Sequence, residues 1–376
     1  MIYFDNAATT PLDPEVKEAM LPFLHHYGNP SSKYYTAAEE AKEAVQVARS
    51  SVADLLGCEP EEVIFTSGST ESNNMIIKGV ADTHWGTGKR FITSSMEHSS
   101  VLEVASYLTT KGLQVDLLKV DNKGVVPPEL LSATLDRNAK DTFLVSLMWG
   151  NNEIATLNDI IPLGNLCKQR NIPFHTDATQ VVGKVPIHLK DLPVQYLSLS
   201  SHKIHGPKGI GAAVLRKDEL GIRPPLTPLI HGGGQEFNLR SGTLNVPGIV
   251  GFGKAAEIAK RDLESTQRQI LALESYATHK IKEHFSSIVS FNSPSGEKLP
   301  GIINIRFKGI HNELLIKKLS PYVALSSGSA CSSSKPSHVL QSIGCSLDEV
   351  RSSIRISLSK FNTIEEIDQF IAILRG

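Results

Sequence analysis

The chain has 376 residues, 40% hydrophobic and 20% charged, with a formal net charge of −1. That length suffices for a large core and two domains, and the balance is that of an ordinary globular protein. The near-zero charge argues against a broad nucleic-acid or membrane surface; no apolar run is long enough to cross a bilayer and "MIYFDNAATTPLDPEV" is not a signal peptide, so a cytoplasmic protein is expected.

Asp13-Pro14 reads as an N-cap with proline opening the helix "EVKEAMLPFL". "EVIFTSG" is a strand running into a turn, and "STESNNMIIKGV" the helix after it. "FITSS", "VLEVASYLTTKG" and "LQVDLLKV" repeat strand, helix, strand. "TFLVSLMW", "IIPLGNLCKQRN" and "IPFHTDA" do so again, and "QYLSLSS" and "IGAAVLR" are two more strands. This alternation predicts an α/β fold with a mostly parallel sheet covered on both faces, whose ligands sit at the carboxyl ends of strands. From about Pro247 to Phe285 the pattern predicts one long charged helix at a domain junction. Strands "GIINIRF", "YVALSS" and "SIRISLS" and helices "NELLIKKL" and "TIEEIDQFIAILR" then predict a smaller α+β domain, with a capping box at Ser346 and Glu349. There is no internal repeat.

The polar clusters fall at strand ends. In "TSGSTESNN", Gly68 lets the backbone turn, and the amides of Ser69 and Thr70 with the Thr70 hydroxyl suit a phosphate at a helix N-terminus; a plain capped turn is the alternative. In "SMEHSSV", His98 is placed to stack on a flat ring and shuttle protons, or is simply a capping segment's exposed histidine. Asp177 ends the apolar strand before "ATQ", where an unpaired carboxylate is costly. A pyridinium nitrogen would suit it, and Gln180 three residues on would suit a ring oxygen; an N-cap aspartate is the alternative.

Lys203 follows "LSLSSH" and precedes a loop with Gly206, Pro207, Gly209 and Gly211. Alone it reads as a solvated charge. Beside Asp177 it reads as the amine that forms a Schiff base with an aldehyde cofactor, and the pair fits pyridoxal 5'-phosphate, with Ser200 and His202 flanking the lysine on the phosphate side. Arg240 and Thr243 lie in a polar loop within reach of a phosphate or an adjacent subunit. Arg355, on a strand, suits a bidentate grip on a substrate carboxylate, or a surface salt bridge.

The four cysteines, Cys58, Cys167, Cys331 and Cys345, are widely spaced without a CxxC pair, so neither a metal site nor a disulfide framework is expected. Cys58, Cys167 and Cys345 read as packing residues. Cys331 stands among serines and glycine in "SSGSACSSSKPSHVL", either as an incidental serine-like residue or as a nucleophile with a minor thiolate fraction at neutral pH.

Taken in order, "YFDNAATTP", "GNPSS", "FTSGSTESNN", "EHSSV", "NNEIA", "HTDATQ", "SSHKIHGPKGIG", "RSGTLNVPG", "SSGSAC" and "RSSIRISLS" resemble the cysteine desulfurases, the NifS/IscS-like members of the class V aminotransferases, nearly end to end. The resemblance implies a fold type I pyridoxal-phosphate-dependent transferase. It implies a large domain, 16–255, with a mostly parallel seven-stranded sheet, and a smaller α+β domain from 1–15 and 256–376. By motif match, Lys203 is the Schiff-base lysine, Asp177 faces the ring nitrogen, Gln180 bonds the ring hydroxyl, and His98 stacks on the ring and handles protons. Ser69, Thr70, Ser200 and His202 hold the phosphate, with Thr243 lent by a second subunit of a homodimer. Asn6, Asn151 and Arg355 hold L-cysteine, and Cys331 is the nucleophile that takes its sulfur as a persulfide, leaving alanine.

A sulfur-acceptor protein is implied, serving iron–sulfur assembly, tRNA thiolation or DNA phosphorothioation, with no membrane and no direct nucleic-acid binding. The chain departs from the family pattern in Tyr34 and Tyr35 of "GNPSSKYY", in "SLSKF", and in a slightly shorter cysteine loop, all of which bear on the acceptor. A selenocysteine lyase or another β-eliminating enzyme is the competing reading; a non-catalytic scaffold has no need of Lys203, Asp177, His98 and Cys331 together.

Overall fold

The structure is a computed structural model that describes residues 1–86, 88–328 and 336–375. The chain opens with a short strand, β1 (Ile2–Tyr3), and two helices, α1 (Pro14–Leu24) and α2 (Thr36–Leu56). Asp13 caps α1 by accepting from the Glu15 amide at 2.9 Å, with Pro14 in the first turn. The alternation predicted from the sequence then follows: β2 (Val63–Thr66), α3 (Ser69–Thr83), β3 (Arg90–Ser94), α4 (Ser99–Thr110), β4 (Gln114–Leu118), α5 (Pro128–Asn138), β5 (Thr142–Ser146), α6 (Ile160–Lys168), β6 (Phe174–Asp177), β7 (Tyr196–Ser200) and β8 (Gly211–Leu215). Helices α7 (Val246–Arg261) and α8 (Leu263–Phe285) lead to β9 (Val289–Phe291), β10 (Ile302–Phe307), α9 (Asn312–Leu319), β11 (Val323–Ala324), α10 (His338–Ser342), α11 (Leu347–Val350), β12 (Ser353–Ser357) and α12 (Ile364–Arg375).

Seven strands form the main sheet in the order β2-β8-β7-β6-β5-β3-β4. Neighbours from β7 to β4 run parallel, and β8 runs antiparallel to both β7 and β2. Alternate residues of each strand feed opposite cores. Phe65, Val145, Leu197 and Val214 pack with α2, α6 and α7 residues, while Ile64, Leu144, Tyr196 and Ala213 pack with α3 and α4 residues. A sheet buried on both faces leaves only its strand ends for polar chemistry.

The smaller unit has its own core. β10 pairs antiparallel with β12 and β9, and β1 pairs parallel with β11, so the start of the chain joins its end. Phe4 meets the Phe370 ring edge-on at 5.5 Å. Ser346 and Glu349 form the expected capping box on α11.

The single long helix expected over 247–285 is two helices. The break falls at Asp262 (φ −103°, ψ 7°), which closes the first helix by donating its amide to the Ile258 carbonyl at 2.9 Å and opens the second by accepting from the Thr266 amide at 2.8 Å. The break divides the labour: Phe252, Ala255 and Ala256 of α7 pack into the large core, and Leu273, Ala277 and Ile281 of α8 into the small one. Among the described residues, no helix is long and apolar enough to cross a membrane.

Candidate active site

The carboxyl ends of β6 and β7 and the N-termini of α3 and α4 converge on a cleft of about 720 Å³, counted to its open mouth. Thr70, His98, Asp177, Gln180, Lys203 and Arg355 all line it. Six residues predicted from five separate motifs thus meet in one place. This is the position where a parallel sheet offers backbone and side-chain groups to a ligand.

Asp177 is buried at the end of β6 and takes two donors. The Thr179 amide bonds Oδ1 at 3.0 Å and Asn73 Nδ2 bonds Oδ2 at 2.8 Å. Asn73 Nδ2 also donates to Ser100 Oγ at 2.8 Å, and Ser100 Oγ lies 2.8 Å from His98 Nδ1. The Ser100 amide donates to the same Nδ1 at 3.1 Å. Since Nδ1 accepts a backbone N–H, the neutral ring carries its proton on Nε2. Burial lowers the His98 pKa, with Lys203 and His338 adding to the effect and Asp177 opposing it, so the neutral ring is favoured.

Lys203 ends the short helical turn after β7, and its Nζ donates to the carbonyls of Ala7 and Ala8, each at 2.6 Å. The N-terminal segment thereby reaches across to the large sheet. His202 lines the cleft beside it, and burial together with Lys203 and Lys208 depresses its pKa to about 4, so it is neutral near pH 7.

A second hollow adjoins the cleft, lined by Gly68, Ser69, Thr70, Ser200, His202 and Lys208. Gly68 holds φ at +150°, a conformation that L side chains rarely adopt, and it starts α3 without a side-chain cap. Ser69 and Thr70 of the helix's first turn line the hollow, along with Glu71, and uncapped helix N-terminal amides suit an anion.

Arg355 is buried on β12. Its Nη2 bonds Asp5 Oδ1 at 2.7 Å and its Nη1 bonds the Asn152 carbonyl at 2.9 Å. Asn151, predicted to hold substrate, does not line the cleft. Its Oδ1 accepts from the amides of Glu153 and Ile154 at 2.8 and 3.0 Å, which turns the side chain inward to cap its own turn. Asn152 lines the cleft instead. Asn6 lies behind the cleft, on a separate cavity, with Nδ2 on the Ser357 carbonyl at 2.9 Å. Thr243 is exposed and lies off the cleft. Cys331 lies outside the described residues.

Three site residues escaped the sequence reading. Asn73 couples Asp177 to His98, and its place on the first turns of α3 after "TSGST" was the available signal. Glu97 is buried beside His98; it accepts from Ser94 Oγ at 2.6 Å and the Met148 amide at 2.9 Å, and burial pushes its pKa to about 8. Glu153 is buried and accepts from Ser337 Oγ at 2.5 Å, with burial raising its pKa. Nothing in the local sequence marks either glutamate as buried.

The donor set fits pyridoxal phosphate: a fixed carboxylate for a ring N–H, a neutral imidazole on the cleft wall, an amine at the strand end, and helix N-terminal amides with hydroxyls for a phosphate. Among the described residues, no cluster of histidine, cysteine, aspartate or glutamate is placed to hold a metal ion.

Comparison with known proteins agrees with this reading. The aminotransferase class-V family model matches residues 2–370. A cysteine desulfurase IscS of Shewanella amazonensis is 43% identical over 380 residues, spanning 100% of this chain and 92% of its own. A solved NifS-like protein superposes with a TM-score of 0.91 at 40% identity, covering 99% of this chain and 97% of its own. SspA, solved in complex with cysteine, superposes with a TM-score of 0.83 at 37% identity, covering 96% of this chain and 100% of its own.

Proposed function

The chain belongs to the class-V aminotransferases and is a pyridoxal-phosphate-dependent cysteine desulfurase; from that premise we propose how its own residues divide the work. The convergence of Lys203, Asp177, His98 and Arg355 on one cleft carries the proposal. Lys203 would hold the cofactor covalently, Asp177 the ring nitrogen, and Gln180 the ring hydroxyl. Ser69, Thr70, Ser200 and His202 would hold the phosphate. When bound, the cofactor supplies an electron sink that weakens bonds at the α and β carbons of an amino acid.

Arg355 binds the carboxylate of L-cysteine, exchanging its Asp5 partner for the substrate. Asn152 stands beside it in the role expected of Asn151. Lys203 and His98 move protons, His98 through Nε2, which carries the proton of the neutral ring while Nδ1 accepts from the Ser100 amide. Cys331, as thiolate, attacks the sulfur of the bound cysteine. An S–S bond forms as the substrate C–S bond breaks, the electron pair stays with the substrate carbon, and protonation there completes alanine. The balance is cysteine plus enzyme thiol giving alanine plus enzyme persulfide. An acceptor thiol or nucleophile then takes the outer sulfur. SspA's complex with cysteine supports L-cysteine as the substrate class.

The domain division expected above, 16–255 against 1–15 with 256–376, belongs to the same proposal. Pairing of β1 with β11 supports it, as does the separate core of the smaller unit. A homodimer belongs to the same proposal, with the exposed Thr243 lent to a second copy's phosphate site. The acceptor is a protein of iron–sulfur assembly, tRNA thiolation or DNA phosphorothioation.

Sulfide and alanine release from L-cysteine with a thiol reductant tests the reading, comparing wild type with Cys331→Ala while the visible spectrum is recorded. Both products from a yellow wild type, and a yellow variant slowed ~100-fold or more, are expected. Full sulfide release by the variant would favour β-elimination.

A further inference from the structure

Gln180 is held from both ends. Its Nε2 donates to the Ala7 carbonyl at 2.9 Å, and its Oε1 accepts from Lys184 Nζ at 2.8 Å. The Ala7 carbonyl also accepts from Lys203 Nζ at 2.6 Å. One hydrogen-bonded series therefore joins Lys184, Gln180, Ala7 and Lys203, and Gln180 and Lys203 within it line the active-site cleft.

The backbone is shaped to put Lys184 there. Gly183 sits at φ +72°, and a Cβ on it would lie 2.7 Å from Ile204 Cγ2. The turn at Gly183 sends Lys184 back toward the cavity behind Lys203, which Asn6, Asp262 and Lys360 also line. Lys360 is already paired, with Asp13 at 2.6 Å. Burial, with Lys203 and Arg355 adding to it, pulls the Lys184 amine down to about 7. The charges that act on it most, Lys203 and Arg355, repel it, and the bond the structure gives its amine is to Gln180. Both protonation states of an amine keep an N–H to donate, so that bond survives across neutral pH.

We propose that Lys184 is a positioning residue for the cofactor: by donating to Gln180 Oε1 it fixes the amide so that the N–H end, and not the carbonyl, is available to the ring hydroxyl. Without that donor only the Ala7 carbonyl holds the amide against turning over, and a turned amide loses that bond and presents its carbonyl, not an N–H, to the ring oxygen. The inference rests on the role proposed for Gln180.

The test is a double-mutant cycle on holoenzyme, reading the pyridoxal phosphate dissociation constant and the visible spectrum at fixed pH. Lys184→Met weakens cofactor binding about 5- to 10-fold, and changes the spectrum in the same direction as Gln180→Leu. The double variant is no weaker than the weaker single, because the two residues act through one bond. Lys184→Arg, which keeps a donor, returns to within about twofold of wild type. Should Lys184→Met fail to fold, Lys184→Gln completes the same cycle. Wild-type affinity and spectrum in Lys184→Met with an impaired Gln180→Leu, or losses that add in the double variant, would overturn this proposal alone. An unimpaired Gln180→Leu would overturn the reading of Gln180 and this proposal with it.

Discussion

The two walls of the cleft are built differently. On the cofactor wall, formed by β6, β7 and the starts of α3 and α4, the polar groups are short side chains tied to one another and to backbone: Asp177 to Asn73 and the Thr179 amide, His98 to Ser100. On the substrate wall, Arg355 is held by a carboxylate, Asp5, and by one carbonyl, while Glu153 bonds Ser337 and stands close enough to Gly328 that a Cβ there would lie 2.7 Å from it. The partners of Asp177 and His98 on the first wall are neutral amides and hydroxyls that no incoming carboxylate would displace. The second holds a guanidinium in an ion pair that an incoming carboxylate can replace. A resident group needs fixed geometry, and a group that enters and leaves needs a partner that yields.

Substitutions sharpen or break this contrast. Lys203→Ala on the fixed wall should remove the visible cofactor band and lower desulfurase turnover by ~10³-fold or more. Arg355→Lys, on the exchangeable wall, should raise KM for L-cysteine by about 10- to 100-fold with a smaller change in kcat, since lysine lacks the bidentate fork. Equal losses in kcat and in kcat/KM would instead place Arg355 on the fixed side. Asn73→Ala leaves Asp177 Oδ2 without its side-chain donor and Ser100 without the amide that orients it. It should weaken cofactor binding ~10-fold and shift the acidic limb of the pH–rate profile, and an unmoved limb would uncouple Asn73 from His98.

The smallest effect is on stability. Glu97 has its folded pKa raised to about 8, well above the ordinary 4.5. Between those values the unfolded chain has released a proton that the native one retains, so this group's contribution is full below about 4.5 and is lost as pH rises toward 8. Glu97→Gln should therefore flatten the fall of thermal midpoint between pH 6 and pH 9, by a few degrees at about pH 8. A slope equal to that of wild type would show that Glu97 is already ionised at neutral pH.

Much of this site was legible because its chemistry sits at strand ends. Asp177 and Lys203 each close an apolar run, a place where a charge needs a reason, and the structure puts both on the cleft. The strand and helix alternation was legible for the same reason, since periodicity survives in sequence. Side-chain direction inside an irregular turn does not. Asn151 and Asn152 are the same residue type in adjacent positions, and only the turn's own hydrogen bonds decide which faces the cleft. Asn73 bonds Ser100 and Asp177, and Glu97 accepts from the Met148 amide, partners distant in sequence that no spacing announces. Helix α2 adds an Ala-rich element before the alternation, with Ala41, Val45, Ala48 and Val52 on its buried face and Gly57 closing it at φ +66°. The break at Asp262 depends on two cores claiming neighbouring helices, which the charged pattern alone does not reveal.

The cysteines offer the most direct test. Burial pushes the thiols of Cys58 and Cys167 to about 12, and burial with Glu349 raises that of Cys345, so none of the three is a ready thiolate at neutral pH. The measurement is peptide mass mapping of holoenzyme quenched after a single turnover with L-cysteine, without reductant. The account predicts one added sulfur atom on the peptide carrying Cys331, in step with the alanine released. Alanine released with the sulfur on another cysteine, or on none, would contradict it.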